Sequence, residues 1–120
     1  MNTNFASEEK LYRAVLPLEM YWRSDGTISS AAFHDKNGLS VDRGDFRDDS
    51  DVVSDMKARG LSGGIIFVTA EDCSEIEAIV LYKPIENNQY HSEIHRNETV
   101  AVLSKGQMKR LARKSIIVCK

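Results

Sequence analysis

Apolar and polar positions alternate along much of this chain with the period of β-structure. Leu11 to Leu16 reads as a strand stopped by Pro17, although Ser7-Glu8-Glu9-Lys10 would also suit the cap of a helical turn. Leu18 to Trp22 continues as an extended, aromatic-rich segment. Leu39 and Val41 alternate with Ser40 and Asp42, the mark of a half-buried strand. Ile65 to Val68 is an uninterrupted apolar run that suits a buried strand. A short connection over 70–74 leads to a further β-rich run, Ile76 to Tyr82, ended by Pro84. Tyr90 to Arg96 is another candidate strand, and Ile116 to Val118 adds an edge strand or packs down the chain end.

Helical patterns punctuate these runs. A turn at Asp25-Gly26 precedes a short helix over 28–34, for which Ser29 or Ser30 is the N-cap and Asn37-Gly38 the stop. After an acidic loop over 44–51, Asp49 or Ser50 caps the clearest helix. Val52, Val53 and Met56 form its apolar face, which is expected to pack on Ile65–Val68, and Gly60 ends it. Ser104-Lys105-Gly106-Gln107 has the form of a capping box opening a basic helix, with Met108, Leu111 and Ala112 inward. The order predicts one α+β domain over residues 1–120. It has a mixed or antiparallel sheet of four to six strands, two main helices, and a loose end over 1–6.

Composition fits this picture. The chain has 120 residues, 42% hydrophobic and 28% charged, enough for one real core. A net charge of −2 argues against a protein built mainly to hold nucleic acid. The charge is unevenly placed: seven aspartates against three basic residues over 35–55, then six basic residues and no acid over 105–120. Either these are two solvated faces, or Lys109, Arg110 and Arg113 form a patch for a phosphate-bearing or acidic partner. No apolar run reaches the ~20 residues of a membrane span and no signal peptide is evident, so the cytoplasm is the expected compartment. Cys73 follows Glu71-Asp72, whose charges raise a thiol pKa, and Cys119 lies near the end, so cysteine chemistry is not expected.

The polar residues of two segments suggest a site. On a strand, His91, Glu93 and His95 alternate onto one face; on a helix, His91 and His95 still share one. They suit an acid/base pair, with His91 and Glu93 the candidate catalytic residues. A metal would need further ligands from His34 or an aspartate, and none is assigned. Arg13, Ser29, Ser30, Ser40 and Arg43, with His91 and His95, are the candidate ligand-binding residues, serving an anion near a helix start. No phosphate loop and no nucleophile elbow occurs.

Leu11-Tyr12-Arg13, Ser29-Ser30-Ala31-Ala32-Phe33, Leu39-Ser40-Val41-Asp42-Arg43 and Tyr90-His91-Ser92-Glu93-Ile94-His95 together resemble a small uncharacterised bacterial protein family. That resemblance spans nearly the whole chain and implies one intact domain. A fainter similarity is to ADP-ribosyltransferase-like folds, where an early Arg or His holds NAD, a serine-bearing strand follows, and a late Glu activates the acceptor. Arg13, Ser29 or Ser30, and Glu93 occur here in that order. The expected function is therefore binding of a small anionic or nucleotide-like ligand, or a protein partner, through residues 23–43 and 91–95. The alternatives are a nucleotide-processing enzyme and an interaction module using the basic helix.

Overall fold

Tyr12 and Ala14 must face opposite Leu11, Arg13 and Val15 if this segment is a strand. The computed structural model, which describes residues 2–120, forms it as β1 (Lys10–Val15). The other strands are β2 (Leu39–Arg43), β3 (Gly64–Thr69), β4 (Ile79–Tyr82), β5 (His91–His95) and β6 (Ile116–Cys119). They make one six-stranded sheet in the order β4-β5-β2-β1-β3-β6, antiparallel throughout. The helices are α1 (Asp49–Ala58), α2 (Ala70–Glu75) and α3 (Lys105–Lys114). This is the α+β class that the pattern predicts, at the upper end of its strand count.

Each face of the sheet has its own core. Leu11, Val15, Leu39, Val41, Ile66, Val68 and Ile94 pack beneath α2, α3 and a 3-10 turn at Ser30–Phe33. On the other face Val52 and Met56 of α1 cover Tyr12, Ile65 and Phe67, with Val53 only flanking. Ten helical residues reach ~15 Å, too short to span six strands at ~4.8 Å spacing. The β2–β5 half of that face therefore has no helix lying across it, and the residues pointing to that side are Ser40, Asp42, His91, Glu93 and His95.

Several local expectations change. Pro17 ends β1, but 18–22 is a turn in which the N–H groups of Tyr21 and Trp22 both donate to the Leu18 carbonyl. The predicted helix over 28–34 is only the 3-10 turn, and the Ser29 hydroxyl bonds the Met20 carbonyl instead of capping it. Asp48, not Asp49 or Ser50, holds the cap position of α1. The connection over 70–74 is helical, because Thr69 and Asp72 close a capping box, so the following strand begins only at Ile79. The capping box at Ser104 and Gln107 forms as expected. Residues 2–6 are not loose: the Arg43 side chain donates to the carbonyls of Asn2 and Asn4 and stacks on Phe5, while Met1 lies outside the described residues.

Candidate functional site

The polar half of the α1 face holds a groove of about 250 Å³ between the sheet and the C-terminal end of α1. Ser40, Asp42 and His91 form its floor, and Met56, Leu61 and Ile85 give it apolar sides. Register explains the floor: Asp42 lies directly opposite His91, and Ser40 opposite Glu93. Facing partners share a face, which makes Ser40 and His91 diagonal neighbours. The His91 Nε2 is 3.4 Å from the Ser40 Oγ, and its Nδ1 is 2.8 Å from the Lys83 carbonyl oxygen. Asp42 is buried but not bare: Arg59 pairs with it, and the Asn88 amide donates to it at 2.8 Å.

Glu93 and His95 sit beside the groove as a pair of their own, 2.8 Å apart, with Lys83 Nζ 3.5 Å from the same carboxylate oxygen. Burial raises the Glu93 carboxyl, but the His95 hydrogen bond and the Lys83 charge outweigh it, so its pKa lies below the ordinary value. An ionised Glu93 suits charge pairing better than proton donation. Gly38 backs this pair at positive φ of 101°, and a Cβ there would run into the His95 ring.

A larger cleft, about 530 Å³, opens beyond the other core, between the 23–30 loop and α3. Arg23 contributes from the loop, while Lys109 and Arg113 project from α3 one turn apart. Thr27, Ser30 and Ser115 add hydroxyls. Asp25 is the one acidic group in the lining, and two hydrogen bonds from Thr27 hold its carboxyl below its usual pKa. Three cations against one carboxylate leave the cleft positive. Among the described residues none of the three has an acidic partner within ion-pair distance.

The predicted site residues therefore separate. Ser40 and His91 share the groove, His95 joins Glu93 next to it, and Ser30 belongs to the cleft across the sheet. Ser29 is engaged with Met20. Arg13 points to the α3 face and acts there as a brace, its Nε donating to the Ala32 carbonyl and its Nη1 to that of Ser40, at 2.9 and 2.8 Å. Burial pushes its pKa down, with Asp35 acting against that. Arg43 is taken by Glu9 inside the core and is not free for a ligand. Arg13, Ser29, Ser30 and Glu93 do not meet in one pocket.

Arg59 and Asn88 are groove residues that the sequence does not single out. Both reach Asp42 over long stretches of chain, which no local pattern signals. Among the described residues no three His, Cys, Asp or Glu side chains gather as a metal site. No helix is long and apolar enough to cross a membrane. No family model, curated protein or solved structure matches this chain.

Proposed function

We propose that this domain binds a small phosphate-bearing or similarly anionic ligand in the cleft between the 23–30 loop and α3. The observation that supports it is the convergence of Arg23, Lys109 and Arg113, free of acidic partners among the described residues, on a space of about 530 Å³. Cations on two separate elements are usually paired off within a fold or spread over its surface. Here the hydroxyls of Thr27, Ser30 and Ser115 stand beside them, supplying the neutral donors that orient an anion. Asp25 limits the charge excess, which favours a ligand with one phosphate over a long polyanion.

Calorimetric titration with inorganic phosphate, pyrophosphate and a nucleoside monophosphate tests this reading. Binding should be seen at low ionic strength and weaken as salt is added. Arg113→Ala and Lys109→Ala should each weaken it about ten- to a hundredfold, the loss of one charge-assisted hydrogen bond of about 1.5–3 kcal/mol. Absence of binding for all three ligands at low salt, or binding indifferent to both substitutions, would rule the cleft out.

A further inference from the structure

The Ser40–His91 pair lies on the sheet face opposite the core beneath α3, and it has the parts of an activated nucleophile. A carbonyl oxygen only accepts hydrogen bonds. The 2.8 Å contact from His91 Nδ1 to the Lys83 carbonyl therefore places the neutral ring's proton on Nδ1. The lone pair of Nε2 then faces the Ser40 hydroxyl at 3.4 Å. That is slightly beyond the ~3.2 Å of a formed hydrogen bond, and nucleophile–base contacts commonly tighten only when substrate binds. Base and orienting acceptor both sit on or beside strands, so the ring is held by the sheet register instead of a loose loop. Among the described residues the Ser40 hydroxyl has no other partner.

Around the pair the groove supplies the remaining elements. Met56, Leu61 and Ile85 offer apolar contact, and Ile85 and Leu61 are 55% and 40% exposed, uncovered by any other part of the fold. From the opposite face of the sheet the Arg13 guanidinium braces the Ser40 carbonyl, which fixes the strand that carries the hydroxyl. The groove volume of about 250 Å³ falls below the ~300–1,000 Å³ of pockets for drug-sized ligands, so the substrate is small. We propose that this groove hydrolyses small carboxylic esters with an apolar acyl group, with Ser40 as nucleophile and His91 as general base.

In the first step the Ser40 Oγ forms a bond to the ester carbonyl carbon and its proton passes to His91 Nε2. The bond to the alkoxy oxygen breaks, and that oxygen takes the proton from His91 and leaves as the alcohol. Water then attacks the acyl-serine, giving its proton to His91. Ser40 recovers that proton as the carboxylic acid departs.

Incubation of the full chain with p-nitrophenyl butyrate and, separately, with a fluorophosphonate probe tests the proposal. Peptide mapping by mass spectrometry should find the phosphonate on Ser40. Ser40→Ala should abolish both the adduct and p-nitrophenol release while melting like the parent, because its side chain is exposed. His91→Gln should slow labelling at least tenfold. No adduct on Ser40, or labelling at an unchanged rate in His91→Gln, would overturn it. Phosphate titration of the other cleft is a separate readout, so the two proposals can fail independently.

Discussion

Glu9 and Arg43 form a forked ion pair inside the protein. The guanidinium Nε meets one carboxylate oxygen and Nη2 the other, both at 2.8 Å, with each side chain 2% exposed. Phe5 and Tyr82 close over the guanidinium, and two further donors go to the carbonyls of Asn2 and Asn4. The pair thus ties the start of the chain to the centre of the sheet. Removing one partner leaves a buried charge alone, so Glu9→Gln or Arg43→Met should each cost about 3–5 kcal/mol in urea unfolding. The double variant Glu9→Leu/Arg43→Met should lose clearly less than the sum. Additive losses would show that the two charges do not depend on each other.

Neighbouring valines on α1 should respond very differently to the same change. Val52 is fully buried against Tyr12, Ile65 and Phe67, whereas Val53 is half-buried at the margin. Val52→Asp places an unpaired charge in the core and should destabilise by several kcal/mol. Val53→Asp can turn its carboxylate to water and should cost about 1 kcal/mol. Equal shifts in the denaturation midpoint would contradict this placement of the helix.

Stability should fall at both ends of the pH scale for identifiable reasons. Tyr12 and Lys10 hydrogen bonds hold the Asp49 carboxyl below its ordinary 3.8, and Glu93 lies below its ordinary 4.5. Groups depressed on folding stabilise fully above their unfolded values, and that contribution drains away as pH falls through the lower folded ones. Tyr12 moves the other way: burial and then Asp49 raise its pKa from 10.0. Its contribution is complete below pH 10 and is lost above it. Melting temperature should therefore be flat near neutrality. Glu93→Gln should soften the acid limb and Tyr12→Phe the alkaline one, and unchanged limbs would remove these groups as the cause.

The two thiols should differ sharply towards Ellman's reagent. Burial foremost, and then Asp72, pushes the Cys73 thiol up to about 12, while Cys119 is half-buried on the edge strand β6. Native protein should show one accessible thiol and denatured protein two. Labelling of Cys73 in the native state at the rate of Cys119 would count against its burial.

What could be read from the sequence tracks how local each signal is. Five of the strands and the two long helices announce themselves through patterning, while the run at Ile116 to Val118 is too short to choose between an edge strand and a packed end; the shared face of His91, Glu93 and His95 follows from alternation alone. The capping box at Thr69 and Asp72 was equally local, yet the short stretch between two β-rich runs reads as a mere connection over 70–74. The fate of Arg43 was not legible, since its partner Glu9 meets it only through the β1–β2 pairing. Ser30 and Ser40 look like one polar cluster in the chain. The sheet puts a layer of core residues between the two pockets they line, which only topology decides.

The strand order also bears on how fast the molecule assembles. Two pairs, β1–β2 and β4–β5, are neighbours in both sequence and sheet, and of these only β4–β5 is joined by a short segment; β2 must find β5, and β3 must find β6, across long intervening segments. Each such pairing requires a large loop to close before its contacts repay the lost chain entropy. The β4–β5 hairpin and the capped helix α3 can flicker into place early, but the sheet cannot close around them until the distant partners arrive. Refolding is thus expected towards the slow, millisecond-to-second side for a domain of this size, with the hairpin preceding the central strands.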